Sequence, residues 1–216
     1  MEEELLSVFN DNEEKIGVLP RHEVHAKGAW HETFHCWLIK KTGNQLSLYF
    51  QLRSPEKKDY PNLLDITAAG HLLATESVEE GARELEEELG LKLPFTSLQP
   101  LGTIKEKLVH GSVTDAEICR VFSYEIKHEW AFTLQMSEVK GLVQIELNAF
   151  KELIEEKREE AWISGFEEDE NGRYNVDKTV NKNDFVPHDQ EYFRYIIKKI
   201  EDLYTYPQGS AASKQR

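Results

Sequence analysis

The sequence predicts an α+β fold, a mixed β-sheet sandwiched between helices, from three observations. Leu46, Leu48, Phe50 and Leu52 alternate with other residues at the period of two that one buried strand face requires. Val78, Ala82, Leu85 and Leu89 recur at helical spacing, as do Phe193, Ile196, Ile197, Ile200 and Leu203. Strand-like and helix-like stretches follow one another without regular βαβ alternation, which excludes a purely parallel array.

In chain order, Leu5–Asn10 and Lys15–Leu19 flank Asp11-Asn12-Glu13-Glu14 as a hairpin, and Pro20 opens a helical turn reaching about His25. Thr33–Lys40 and Leu46–Arg53 pair around the turn Lys41-Thr42-Gly43-Asn44. A loop rich in Pro and Lys, Ser54–Asn62, leads to a strand at Leu64–Ala69 and then to an acidic helix. Further strands are expected near Leu98–Lys105, Asp115–Tyr124 and Gly141–Leu147, and a helix from about Ala149 to Arg158. After Trp162 the composition shifts to an acidic loop with an Asn171-Gly172 turn, before a last helix from about His188 to Tyr204. One domain over residues 1–206 is expected, with a core of about 30–158, the N-terminal hairpin and a C-terminal helical extension. The small, polar tail 207–216 is expected to be disordered.

A chain of 216 residues can bury a substantial core. Its formal charge of −14 disfavours nonspecific binding to nucleic acid or anionic membranes, which attract basic patches. An apolar run of about 18 residues, as a membrane helix needs, is missing, and Met1-Glu2-Glu3-Glu4 is acidic where a signal peptide would be basic. A cytoplasmic location is therefore expected. Two cysteines, Cys36 and Cys119, argue against a disulfide framework. Monomer and homodimer are left open.

The most informative segment runs from Glu76 to Glu88, where seven carboxylates surround a single arginine, Arg83. With Ser77 as cap, Val78, Ala82, Leu85 and Leu89 form a buried stripe, while Glu80, Glu84, Glu87 and Glu88 share another face. Like charges at this spacing cost roughly 0.2–0.5 kcal/mol per pair, which a divalent cation would more than reverse. Hard oxygen ligands of this kind suit Mg²⁺ or Mn²⁺.

Read as G-x5-E-x6-R-E-x2-E-E-x-G-L from Gly70 to Leu91, the segment resembles the Nudix box, G-x5-E-x7-R-E-U-x-E-E-x-G-U, where U is bulky and apolar. One residue fewer separates Glu76 from Arg83, so the loop entering the helix is shortened. The resemblance implies a Nudix fold and hydrolysis of a nucleoside diphosphate linked to another group. It implies that Glu84, Glu87 and Glu88 hold Mg²⁺ or Mn²⁺, that the Ala69 carbonyl adds a ligand, and that Arg83 orients the glutamates. Helix spacing also lets Arg83 pair with Glu79 or Glu87. Glu84 and Glu138 are both candidates for general base, the latter because Nudix proteins often place a glutamate in a loop before a strand such as Gly141–Leu147.

Over Val24 to Phe122 the chain also resembles type I isopentenyl-diphosphate isomerase, itself of Nudix fold, in which three histidines and two glutamates hold a metal. Similar residues stand in the same order here: His25, His31, His71, Asp115 and Glu117. The resemblance implies a second divalent cation, Mn²⁺ or Zn²⁺ by the imidazole ligands. It also implies that Arg53 and Lys57 grip the diphosphate of a small-molecule substrate. Two departures favour hydrolysis over isomerisation. The isomerase needs a cysteine before the Nudix glycine, where this chain has Ala69, and it carries an arginine where Glu84 stands. A Nudix-fold binding module without catalysis is the third reading, disfavoured by the complete glutamate set. For Trp30, His35 and Trp37, packing in core and sheet is favoured over walling a substrate cleft.

Overall fold

The computed structural model describes residues 4–111 and 113–204. Strands β1 (Leu5–Phe9) and β2 (Lys15–Pro20) form the expected hairpin, followed by helix α1 (Arg21–Lys27). The central strands are β3 (Trp30–Thr42) and β4 (Gln45–Arg53); β5 (Leu64–Ile66) and β6 (Ala68–His71) precede helix α2 (Arg83–Leu89). Then come β7 (Gln99–His110), β8 (Val113–Glu125), β9 (Val139–Glu146), helix α3 (Leu147–Ile154), β10 (Ala161–Asp169), β11 (Gly172–Val180) and helix α4 (Gln190–Tyr204). The sheet runs β11-β10-β9-β4-β3-β1-β2, with β5 on β4, β6 and β8 on β3, and β7 on β8. Its pairs are antiparallel except β3 with β8, so the sheet is mixed, as predicted.

Alternation along β3 builds two cores. Phe34, Cys36 and Leu38 pack with Leu85 and Leu89 of α2, whereas Trp37 and Ile39 pack on the opposite face with Phe150 of α3 and Ile196, Ile197 and Ile200 of α4. Burying each of these large side chains contributes roughly 1.5–3 kcal/mol. Helices thus cover both faces, and the last helix docks through the apolar stripe its spacing predicts.

Four expectations change. The strand at Leu64–Ala69 is two strands, because Thr67 breaks the ladder: its hydroxyl donates to the Tyr49 carbonyl and accepts from the Leu38 amide at 3.1 Å. That crossing moves the chain from β4 to β3 and delivers Gly70 and His71 beside the central strand. Helix α3 starts at Leu147, because the Glu146 carboxylate caps it, accepting from the amides of Asn148 and Ala149 at 3.0 and 2.7 Å, and it stops at Ile154 rather than Arg158. The expected acidic loop after Trp162 is the hairpin β10–β11. Its outer strand buries only Val176 and Val180, so the alternation that would have revealed it is mostly charged. The tail 207–216 lies outside the described residues. Among the described residues no helix is long and apolar enough to cross a membrane.

Candidate functional site

The fourth change concerns the entry to α2. Ser77 N–H and Oγ donate to Glu80 Oε2 at 2.8 and 3.0 Å, and residues 80–82 form a 3₁₀ turn before the α-helix starts at Arg83. Glu80 is thereby spent on the exposed cap, so Glu84, Glu87 and Glu88 remain of the four glutamates expected together. The short loop nevertheless delivers Glu76. Arg83 Nε and NH2 donate to its two oxygens at 2.6 and 3.1 Å, and NH1 reaches Glu84 at 2.6 Å and Glu87 at 2.9 Å. Of the two helical neighbours open to it, Glu79 and Glu87, Arg83 takes Glu87, and it bonds Glu76 and Glu84 as well. Gly90, at φ 67°, closes α2 with the left-handed turn that returns Leu91 to the core.

Gly70 on β6 is required by a close approach, since an added Cβ would lie 2.1 Å from Glu84 Oε1. Glu84 and Glu88 are both buried, and Glu88 Oε2 accepts from Gln51 Nε2 at 3.2 Å and from the Ala69 amide at 3.3 Å. Burial lifts the Glu84 carboxyl to about 7, with Glu87 adding and Arg83 opposing. Burial and then the Glu84 charge push Glu88 well above the usual carboxylate range. Neighbouring buried carboxylates that resist ionisation suit a divalent cation, which would reverse their repulsion. Gly70→Ala is expected to fold, because Glu84 can swing aside, but to weaken Mn²⁺ binding by about 10–100-fold. Unchanged affinity in an electron-spin-resonance titration would remove Glu84 from the ligand set.

A second cluster forms where α1, β3, β6 and β8 meet. The ligand atoms of His25, His31, His71 and Asp115 lie within 4.8 Å of one another. His25 Nε2 is 3.2 Å from His71 Nε2, and Asp115 Oδ1 lies 3.6 Å from His25 Nε2 and 3.2 Å from His31 Nε2. His31 Nε2 and Asp115 Oδ1 are buried and face each other without an aligned hydrogen bond to any partner among the described residues. Burial lowers the pKa of His25 and, further, of His71, favouring the neutral imidazoles that metals bind. Burial pulls His31 the same way, but Asp115 and Glu117 outweigh it and raise His31. Asp115 is held at about 2, the surrounding imidazoles overcoming its burial. A cation would take the place of the proton that His31 and Asp115 contest.

Glu117, expected as a fifth member, has its Oε2 3.4 Å from His35 Nε2 and 3.6 Å from Cys119 Sγ. Asp115, Glu117 and Cys119 share one face of β8, and a step of two residues, roughly 6.6 Å, sets Glu117 farther along the sheet than Asp115.

A cavity of about 650 Å³ joins both clusters. Arg53 and Lys57 reach its wall, each already holding an acid or a carbonyl. Arg53 donates to Asp65 Oδ2 at 2.7 Å and to the Asp59 carbonyl at 2.8 and 3.2 Å, while Lys57 pairs with Glu138 at the rim. Two wall residues, Asp65 and His188, have no signal in the sequence. His188 Nε2 lies 2.8 Å from Asp65 Oδ1 and His188 Nδ1 2.9 Å from the buried Glu106 Oε2, so the two carboxylates overcome burial and raise the imidazole to about 10. Asp65 is correspondingly drawn below the usual range. No local pattern links residues 123 positions apart. His35, for which packing was favoured, instead lines the cavity, because it shares a face of β3 with His31 at the strand period. Trp37 is fully buried against Phe50 and Phe193, and the Trp30 ring lies under Lys105 and Lys107, the packing roles favoured for them.

A sheet covered by helices on both faces thus carries a glutamate-rich helix that opens into a cavity lined by acidic, basic and imidazole side chains. No protein-family model matches the chain. It is 42% identical over 206 residues to an uncharacterised Nudix hydrolase of Clostridium acetobutylicum, covering 94% of this chain and the whole of that relative. It is 36% identical over 183 residues to Nudix hydrolase 3 of Arabidopsis thaliana, covering 81% of this chain but 23% of that longer protein. A crystal structure of a Deinococcus radiodurans protein superposes with a TM-score of 0.53 at 20% identity, over 67% of this chain and 85% of that one. A MutT/nudix family protein from Enterococcus faecalis superposes at 0.51 and 14% identity, over 79% and 61%. The chain belongs to the Nudix hydrolases, enzymes that act on acid anhydrides and work with divalent metals.

Proposed function

We propose that the chain hydrolyses a phosphoanhydride bond of a nucleoside diphosphate derivative or another small organic diphosphate, using Mg²⁺ or Mn²⁺ held by Glu84, Glu87 and Glu88 with the Ala69 carbonyl. The observation that carries this reading is the pair of buried carboxylates, Glu84 and Glu88, on the cavity wall with raised pKa values. Bound there, the cation supplies charge neutralisation for the diphosphate and acidity for the attacking water. Arg83, tied to Glu76, holds Glu84 and Glu87 in place. Two candidate bases face the cavity: Glu84, whose carboxyl is raised to about 7 without metal and would be drawn down by the cation it helps to hold, and Glu138, paired with Lys57. Arg53 carries five N–H groups, of which three bonds to Asp65 and Asp59 leave two for phosphate oxygens; Lys57 would add its charge at the rim.

His25, His31, His71 and Asp115, with Glu117 beside them, form the proposed second cation site, for Mn²⁺ or Zn²⁺. Its likeness to the isomerase set supports a scaffold shared with that subgroup. Ala69 lines the cavity with a methyl group, which can neither give nor take a proton. Isopentenyl diphosphate in deuterated buffer should therefore show no exchange by NMR, and metal-dependent deuterium incorporation at a catalytic rate would overturn the hydrolase reading.

The direct test is a screen of nucleoside di- and triphosphates, nucleotide sugars, dinucleotides and prenyl diphosphates with Mg²⁺ or Mn²⁺, products identified by mass. Cleavage at a phosphoanhydride is expected. Folded protein that turns over none of these classes with either metal would leave a binding module as the better account.

A further inference from the structure

Next to the histidine cluster lies a group of ligand atoms that shares Glu117 with the proposed second cation site and adds two side chains, His35 and Cys119, that the proposed hydrolysis does not use. His35 on β3 and Cys119 on β8 are buried and Glu117 on β8 is half-buried, and their ligand atoms lie within 4.8 Å of one another. Strand periodicity brings them together: Thr33 and His35 share a face of β3, Glu117 and Cys119 share a face of β8, and the parallel register sets Thr33 opposite Cys119.

The distances distinguish two kinds of contact. Glu117 Oε2 stands 3.4 Å from His35 Nε2, where an N–H···O bond would close to about 2.9–3.0 Å. The same oxygen is 3.6 Å from Cys119 Sγ. Tetrahedral ligation at about 2.0–2.1 Å for nitrogen and oxygen and about 2.3 Å for sulfur separates N from O by about 3.4 Å and S from O by about 3.6 Å. Both observed spacings match ligands around one ion, and the second is at present bridged by the Cys119 thiol donating to Glu117, a proton the cation would replace. A support for the imidazole is also present. The Tyr192 hydroxyl of α4 lies 2.9 Å from His35 Nδ1 and accepts from Trp37 Nε1 at 3.2 Å. With a cation at Nε2, Nδ1 would carry the ring proton and give it to the Tyr192 oxygen, a contact that would hold the imidazole in place.

We propose that His35, Glu117 and Cys119 form a site for one thiophilic divalent cation, Zn²⁺ by its preference for mixed nitrogen, oxygen and thiolate ligands. His35 and Glu117 line the cavity, which gives the ion its path and a water as fourth ligand. The Cys119 thiol releases its proton to solvent as the cation binds, because the thiolate is the ligand. Mg²⁺, which takes oxygen ligands, is excluded by the sulfur. The assignment stands independently of the glutamate helix and its reaction.

Co²⁺ added to the full chain tests it. A thiolate-to-cobalt absorption band in the near ultraviolet is expected in the wild type and in Cys36→Ser, whose one remaining thiol is Cys119. The band should be lost in Cys119→Ser and displaced by Zn²⁺. X-ray absorption of Zn²⁺-loaded Cys36→Ser should show a sulfur neighbour at about 2.3 Å, which decides the matter if Cys119→Ser fails to fold. Bound Co²⁺ with only nitrogen and oxygen neighbours, or a band that survives Cys119→Ser, would overturn the site and leave the three side chains a buried polar contact.

Discussion

Glu88→Gln should lower metal-dependent turnover of whichever diphosphate the screen identifies by at least about 10²-fold, with the fold intact. The change removes charge from the proposed cation site but keeps the side chain's volume and its acceptor oxygen for Gln51 and Ala69. Glu87→Gln should behave alike, since its carboxylate faces solvent and only the arginine contact is lost to folding. Wild-type turnover in either folded variant would show that the cluster does not hold the working metal. A pH signature accompanies this. The Glu84 carboxyl is raised to about 7 in the folded, metal-free protein, whereas an unfolded chain ionises it at about 4.3. Between those values the unfolded state binds fewer protons at this group, so the Glu84 contribution to metal-free stability falls as pH rises through the window. Glu84→Gln should flatten that slope in thermal melts, and saturating Mn²⁺ should remove it in the wild type. A pH slope that is the same in wild type and Glu84→Gln would contradict the burial argument.

His188→Gln is expected to destabilise the chain by about 3–5 kcal/mol, because Asp65 and Glu106 would be left buried with their shared cation gone. For a chain of this size that corresponds to a fall in melting temperature of about 6–20 °C. The sign of the pH dependence follows from the raised imidazole. Its contribution is fully present below the unfolded histidine's ordinary value of about 6.5 and is lost as pH rises toward the folded value of about 10. Urea titrations at pH 6.5 and 9.5 should therefore show wild-type stability declining while His188→Gln changes less. Adding Glu106→Gln to His188→Gln should recover part of the loss, since one buried charge is removed. A single variant as stable as the wild type would mean that water already satisfies both carboxylates.

The order of residues from Gly70 to Leu91 determined the chemistry of the acidic helix, because every relation in it is local. Helical spacing puts Arg83 beside Glu84 and Glu87, and a glycine two positions after Glu88 can be read as a C-cap without knowing the rest of the fold. The period of two likewise determined that Asp115 and Glu117 share a face, and the stripe from Phe193 to Leu203 that the last helix docks. Tertiary structure decided what stands opposite each face. Periodicity says which way Glu117 points but not that, with the parallel register setting it opposite His31, its carboxylate turns to His35 and Cys119. Spacing in the entry loop could not show that a 3₁₀ turn would draw Glu80 away and still return Glu76 to Arg83. The hairpin β10–β11 was hidden because an outer strand buries few side chains and so shows little apolar alternation. His188 was hidden for a deeper reason: the free energy that holds a buried imidazolium between Asp65 and Glu106 comes from desolvated charges brought together across the chain, and such pairings leave no trace in the local order of residues.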